Sequence, residues 1–246
     1  MRLTLLGSGD SVGTPKIGCD CPTCADARNG GRSWRRRPGF LLEHDGFTLL
    51  VDSGPDMRQQ LLDADVKRVD ALLWTHAHWD HFAGFPEFWR VQRDVDVYGV
   101  PEVLDQVLGQ FHYIPHIRHE ISIYRPEEIG GIPIALFEVN HPTAHPTCGV
   151  VIEGPRRRVV VSGDTLSAIP ERSLEMMREA DVLFIDAISP TTQQLVKHMN
   201  AHQALSLADA LSPGECYFYH LSHSYPPHGQ ATSKYPLGFD GLSLDV

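Results

Sequence analysis

The sequence predicts an α/β protein in which two β-sheets pack together with helices outside, and three observations carry that prediction. Short apolar runs bounded by Gly, Pro, Asp or Asn recur along the chain, the pattern of strands separated by turns. Stretches with helical spacing of apolar residues lie between several of them, so the second half alternates strand and helix while the first is hairpin-like. The composition, 42% hydrophobic and 21% charged over 246 residues, is that of a globular chain with a sizeable core.

In chain order the first strand is "RLTLLG". It begins directly after Met1 and runs into glycines, so the N-terminus reads as a strand and not as a signal peptide. "GFLLEH" and "FTLLVDSG" follow, then the helix "DMRQQLLDAD", the strands "ALLWTH" and "VDVYG", and the helix "PEVLDQVLGQF". "IPIALFEV", "GVVIEG" and "RVVVSGD" are three successive strands. The helix "PERSLEMMREA", the strand "VLFIDA", the helix "NAHQALSLADAL" and the strands "CYFYHLSH" and "LSLDV" complete the order. No fixed-period repeat and no low-complexity linker interrupts it, so residues 1–246 read as one domain. No apolar run approaches the ~20 residues of a membrane span, and no membrane association is expected.

Charge and cysteine content narrow the function. A formal net charge of -10 argues against extended, sequence-blind nucleic-acid binding, which draws on counterion release at a basic surface. The local exception is "RSWRRRP", with Arg32, Arg35, Arg36 and Arg37. Bound divalent ions would invert the field of an acidic cleft, so a small anionic substrate stays admissible. Five cysteines, three of them crowded into "GCDCPTC" as Cys19, Cys21 and Cys24, do not make a disulfide framework, and a cytoplasmic location is expected. A closed thiolate site needs four ligands, yet Cys148 and Cys216 are distant and in apolar surroundings.

The histidines are the stronger signal. "LLVDSG", "LLWTHAHWDH", "FEVNH", "VVVSGD" and "FYHLSH" all end an apolar strand in Asp or His, which converges such residues on one sheet edge. "THAHWDH" places His76, His78, Asp80 and His81 in the pattern H-x-H-x-D-H directly after a strand. An extended segment points His76 and His78 the same way, and Asp80 and His81, beyond the turn, can serve a second ion close by. Imidazole with carboxylate suits zinc, manganese or iron better than calcium or magnesium.

With these motifs the chain resembles the metallo-β-lactamase-fold hydrolases, a four-layer αββα sandwich with a two-metal site at one edge. In that superfamily H-x-H-x-D-H is followed by a later His, an Asp and another His, each after a strand; the matching residues are His141, Asp164 and His220. The resemblance implies that His76, His78 and His141 bind one ion, that Asp80, His81 and His220 bind the other, and that Asp164 bridges. Asp52 and Ser53 in "VDSG" would orient ligands from behind.

"GSGDSVGTPKIGCDCPTC", "RSWRRRP", "HLSH" and "GFDG" together narrow the resemblance to the phosphoribosyl cyclic phosphate phosphodiesterases of the carbon–phosphorus lyase pathway. In that family an inserted loop, here about residues 18–38, carries a structural zinc held by three cysteines and a histidine three positions after the last catalytic ligand. That implies Cys19, Cys21, Cys24 and His223. The cofactors expected are therefore two divalent catalytic ions (Mn, Zn, Fe or Ni) and one structural zinc. In the same family a histidine at the start of a helix, 22 positions before the last metal ligand, protonates the leaving group, which selects His198. His202 is the second choice for the proton donor, four residues on and able to share a helix face.

The reaction implied is hydrolysis of a small cyclic phosphodiester, most simply a phosphoribosyl 1,2-cyclic phosphate, by a metal-bridging hydroxide. The same site could serve a cyclic nucleotide, a tRNase Z-like nuclease, or a thioester or lactam hydrolase; a non-catalytic metal-binding pathway subunit is the reading from another class. The partner expected is a small-molecule phosphodiester, with a homodimer as an option. Arg35, Arg36 and Arg37 read equally as a solvated basic face or as contacts to a terminal phosphate. His112, His116 and His119, in "FHYIPHIRHE", read as a substrate lid or as packing. His145, Cys148 and Asp240 read as scaffold, and nothing marks His44 or His228.

Overall fold

The structure, a computed structural model describing residues 1–246, contains two sheets. The first holds seven strands: β1 (Arg2–Gly7), β2 (Gly39–His44), β3 (Phe47–Val51), β4 (Ala71–Leu73), β5 (Val95–Gly99), β6 (His116–Glu120) and the last strand, β13 (Leu242–Asp245). The second holds six: β7 (Pro126–Ile129), β8 (Ile132–Glu138), β9 (Cys148–Glu153), β10 (Arg158–Val161), β11 (Val182–Asp186) and β12 (Glu215–Tyr219). Their orders are β13-β1-β2-β3-β4-β5-β6 and β12-β11-β10-β9-β8-β7. The helices are α1 (Pro22–Arg28), α2 (Met57–Asp63), α3 (Trp79–Phe82), α4 (Pro101–Leu108), α5 (Glu171–Met177), α6 (Ala201–Leu211) and α7 (His228–Ala231). No helix is long and apolar enough to cross a membrane.

Strand periodicity explains the layers. Successive side chains point to opposite faces, and in the second sheet both faces are covered. Val159, Val161, Val182 and Phe184 join Leu3, Phe40 and Leu50 in the core between the sheets. The residues that alternate with them, Val160, Leu183 and Ile185, join Met177 of α5 and Ala201, Ala204 and Ala208 of α6 in an outer core. This is why β10 and β11 read as continuous apolar runs and not as alternating ones. The result is the αββα sandwich expected from the sequence.

Two strands lie where none was expected. His116–Glu120 pairs in parallel with β5 as an edge strand, and Pro126–Ile129 pairs antiparallel with β8. Both sit at sheet edges and are polar on their exposed side, so neither carries the apolar run by which strands were read. The "FHYIPHIRHE" segment is thus packed structure. Phe111 meets Phe82 and Phe85 edge-on, and His119 stacks on Tyr98 at 4.4 Å and pairs with Asp96 at 2.5 Å.

Candidate metal centre

The loops after β4, β8, β10 and β12 deliver seven side chains to one place. One ligand atom each from His76, His78 and His141 lie within 4.8 Å of one another, and so do those of Asp80, His81, Asp164 and His220. His141 Nε2 faces His78 Nδ1 at 3.0 Å. Asp164 Oδ2 reaches toward both groups, 3.2 Å from His81 Nε2, 3.1 Å from His220 Nε2 and 3.9 Å from His76 Nε2. Asp80 Oδ2 stands 3.6 Å and 3.5 Å from His81 and His220. Only His78 of the seven is not buried.

Three of the rings, His76, His81 and His141, are anchored from behind. Asp52 accepts from His81 Nδ1 at 2.7 Å, and the Lys197 carbonyl accepts from His141 Nδ1 at 2.9 Å. Thr75 Oγ1 donates to Asp52 and lies 3.0 Å from His76 Nδ1, which places the ring proton on that side. The atoms on the opposite side, His76 Nε2, His81 Nε2, Asp164 Oδ1 and both His220 nitrogens, are buried without a hydrogen-bond partner. A buried lone pair left unpaired costs about 1–3 kcal/mol, and here several converge. Histidine and carboxylate donors arranged this way fit divalent transition ions, and the backing hydrogen bonds are those that fix tautomer and raise ligand basicity.

The electrostatics follow from the crowding. Burial drives His76 well below its usual pKa, helped by neighbouring imidazoles, and brings His78 down to about 4. Burial opposes charge on His81 and His220 as well, but the Asp164 carboxylate, with Asp80 beside it, holds both well above the ordinary histidine value. In the same way burial would raise Asp80, yet His81 and His220 hold it far below the usual carboxylate range. An entering cation takes the place of those protons. Asp52 and His220 also adopt left-handed backbone, φ 61° and 58°, a conformation that side-chain-bearing residues keep only where the surroundings enforce it.

His198 lies against this cluster, its ring stacked on His220 at 4.7 Å and tilted against His141 at 4.8 Å. Its Nδ1 donates to Asp186 Oδ2 at 2.8 Å, and Asp186 also accepts from Thr165 N at 2.9 Å, next to Asp164. The helix begins where "NAHQALSLADAL" predicts, three residues after the His198 that the family resemblance places at its start. Asn200 caps α6 through a reciprocal capping box with Gln203, which fixes Ala201 as the first helical residue and leaves His198 on the preceding loop. His198 and His202 therefore share no helix face: His202 is exposed on the first turn of α6, outside the cluster. Asp186 was missed. Its signal was present in "VLFIDA", another apolar strand ending in Asp.

A second cluster joins Cys19, Cys21, Cys24 and His223, with ligand atoms again within 4.8 Å. His223 Nδ1 is 3.5 Å from Cys19 Sγ and 3.6 Å from Cys21 Sγ. Cys21 caps α1, accepting from Cys24 N–H at 3.5 Å, and Pro22 occupies the first turn, where no amide hydrogen is needed. Lys16 N–H donates to Cys24 Sγ at 3.3 Å. Three sulfurs and one imidazole nitrogen fit a closed zinc site. His223 stands three residues after His220, so the two clusters share one short loop.

The arginines of "RSWRRRP" separate. Arg35 is buried, not a solvated face: its guanidinium donates to the Ser222 carbonyl at 2.7 Å and lies over Tyr225. Arg36 pairs with Asp63 at 2.6 Å, and Arg37 lies beside Asp56 and Trp79. Asp240 is half-buried and accepts from Ser8 and from Arg36 N–H. Cys148 and His228 are buried, while His44, His112 and His145 belong to neither cluster.

Comparison with known proteins places the chain in a family. The model of the family described as "Beta-lactamase superfamily domain" matches residues 48–221. A crystal structure described as a new diphosphatase from the PhnP family superposes with TM-score 0.88 at 31% identity, covering 100% of this chain and 97% of that one. Zn²⁺-bound PqqB from Methylobacterium extorquens superposes with TM-score 0.82 over the full length of both chains at 22% identity, a likeness of fold. A protein named octanoyltransferase from Porphyromonas gingivalis is 29% identical over 100% of this chain, which spans 52% of that protein. The chain belongs to the β-lactamase superfamily domain family and has the metallo-β-lactamase fold.

Proposed function

We propose that the protein is a two-metal phosphodiesterase acting on a small phosphodiester, most simply a phosphoribosyl 1,2-cyclic phosphate. The observation that carries this reading is His198. It is an imidazole set against the ligand cluster, its Nδ1 committed to the fully buried Asp186 carboxylate, and 15% of its side chain remains exposed. Hydrolysis of an alkyl phosphodiester expels an alkoxide, which needs a proton at the moment of cleavage, whereas the thiolate of a thioester leaves without one. His76, His78 and His141 would hold one divalent ion, Asp80, His81 and His220 a second, with Asp164 between them. Such ions, when bound, supply positive charge for the phosphoryl oxygens and lower the pKa of water.

The chain's own residues do the remaining work. Asp52 keeps the His81 proton on Nδ1, so that Nε2 stays a lone-pair donor at the site. Asp186 does the same for His198, stabilising the imidazolium and aiming Nε2 away from itself toward the leaving oxygen. The Cys19, Cys21, Cys24 and His223 corner would hold a structural zinc and brace the loop that carries His220. A second reading is hydrolysis of a diphosphate diester, favoured by the likeness to the PhnP-family diphosphatase. We further propose one domain over 1–246 with about 18–38 as an inserted loop, a cytoplasmic location, and homodimer formation compatible with an open site.

The test is reconstitution with manganese, zinc, iron or nickel, followed by assay on ribose 1,2-cyclic phosphate 5-phosphate, 2′,3′-cyclic nucleotides and ADP-ribose. Metal-dependent hydrolysis best on the cyclic ribosyl ester is the expected result. Preference for ADP-ribose would replace it with the diphosphate reading, and inactivity on every diester with all metals would overturn both.

A further inference from the structure

Among the buried histidines of the metal centre, His220 stands apart. The rings of His76, His81 and His141 each have a hydrogen-bonding group behind them, but both nitrogens of His220 are buried without a partner. Its place is therefore set through its backbone, which is left-handed, φ 58°, and such a conformation persists only where the surroundings enforce it. The two residues that follow are tied at every backbone polar group. Leu221 N–H donates to the Ser8 carbonyl at 2.8 Å, and the Leu221 carbonyl accepts from Asp10 N–H at 3.2 Å. Ser222 N–H donates to the Ile188 carbonyl at 2.9 Å, and the Ser222 carbonyl accepts from Arg35 Nη1 at 2.7 Å. Of these partners, Arg35 alone is a side chain.

Arg35 is only 1% exposed, and its Nε and Nη2 are buried with no hydrogen-bond partner. A buried charge so sparsely paired is costly, so its one bond is not incidental. The residue is fixed at both ends. Its backbone pairs with Thr14, N–H to carbonyl at 2.8 Å and 2.9 Å in the two directions, and its guanidinium lies 5.7 Å over the ring of Tyr225. Gly9 makes room for the stem, since a Cβ there would stand 2.9 Å from the Arg35 Cβ. The Tyr225 hydroxyl in turn donates to the Ala187 carbonyl at 2.7 Å, which holds the ring under the guanidinium.

We propose that Arg35 is a positioning residue for His220. Through the Ser222 carbonyl it fixes the turn that aims this ligand at the metal centre, the task that Asp52, Thr75 and the Lys197 carbonyl perform from behind the other rings. Arg35 acts only through that turn, at a distance of two residues from the ligand. Its influence falls on the ion held by Asp80, His81 and His220, and not on the ion of His76, His78 and His141. This rests on the two-ion reading above.

The test measures the affinity of each divalent ion by competition with a chelator, in wild type, Arg35→Met, Arg35→Lys and Arg36→Met. Turnover of bis(p-nitrophenyl) phosphate, zinc content and Tm are recorded beside it. Arg35→Met is expected to weaken one of the two catalytic ions on the order of 10–100-fold, the range for groups that orient a ligand. The other ion and the structural zinc stay bound. Turnover falls through kcat and returns with excess metal, a rescue that a general loss of packing would not show. Arg35→Lys recovers part of the affinity, and Arg36→Met, whose side chain pairs with Asp63 instead, matches wild type. In an Asp80→Asn background Arg35→Met leaves the affinity of the remaining ion unchanged. Equal weakening of both ions, unaltered affinity, loss of the zinc ahead of the catalytic ions, or unfolding of both Arg35 variants overturns the assignment. A wild type that takes up fewer than two ions at the histidine–aspartate cluster overturns the two-ion reading itself, and the role of Arg35 with it.

Discussion

Cys19, Cys21 and Cys24 come from one short loop and need only His223 from elsewhere, whereas the histidine–aspartate cluster is assembled from loops after four strands of two sheets. In the cysteine corner the sulfurs already receive N–H donors from Lys16 and Cys24, and they meet His223 directly. In the other cluster Asp52, Thr75 and the Lys197 carbonyl accept from the ring nitrogens from behind, and inward atoms of His76, His81, Asp164 and His220 are left unpaired. The difference is that between a closed tetrahedral site and one with room for substrate. The two are coupled by sequence distance alone, since His220 and His223 flank Leu221 and Ser222.

That contrast is broken most severely at Asp164, which touches both halves of the cluster. Asp164→Asn is expected to lower kcat/KM by on the order of 10³-fold or more, from several kcal/mol of lost charge stabilisation, with metal content falling in the same samples. His198→Ala should retain its metals and lose about 10²–10⁴-fold on an alkyl ester. The loss should shrink markedly on bis(p-nitrophenyl) phosphate, whose leaving phenolate needs no proton. An equal loss on both esters would remove His198 from the proton-donor role.

Asp52→Asn leaves the ligands in place and alters only the group behind His81. Roughly 10–100-fold weaker metal affinity is expected, read by competition with a chelator. Cys24→Ser should act on the other cluster: one equivalent of zinc is lost, and Tm falls by roughly 5–10 °C. Activity should fall less than in Asp164→Asn, through a loosened His220. If zinc loss leaves both Tm and activity unchanged, the proposed bracing of His220 is wrong.

The smallest effect lies away from both metals. Burial pushes the Asp240 carboxyl up to about 6 despite its hydrogen bonds to Ser8 and Arg36. A carboxyl raised in the folded state binds its proton more tightly there than in the unfolded chain. Stability should therefore fall as pH rises from about 4 to 6, by at most roughly 3 kcal/mol, and level off above. Asp240→Asn should flatten that slope in denaturant titrations of the metal-loaded protein.

Much of this was legible because strands and ligands share a local grammar. "THAHWDH" announces itself, since four ligand-type residues in so short a span after an apolar run have few other uses. His141, Asp164 and His220 were legible only as an ordered series, because each alone is an ordinary strand-end residue. β6 and β7 were not legible: their polar residues are stabilised by pairing with β5 and β8, which local pattern does not reveal. The start of α6 was legible in "NAHQALSLADAL", where Asn200 and Gln203 make a reciprocal cap, and this local signal outweighs a family expectation that places the helix at His198.

The sequence by itself determined the layered α/β architecture, through the period of its apolar residues, and the chemical nature of both clusters, through their donor types. Tertiary structure alone decided which side chains meet. Asp186 behind His198, Asp52 behind His81, Arg35 buried against the Ser222 carbonyl and Arg37 between Asp56 and Trp79 are all set by how the two sheets and their loops pack. Burial and pairing separate three consecutive arginines, Arg35, Arg36 and Arg37, a distinction that neither charge nor spacing contains.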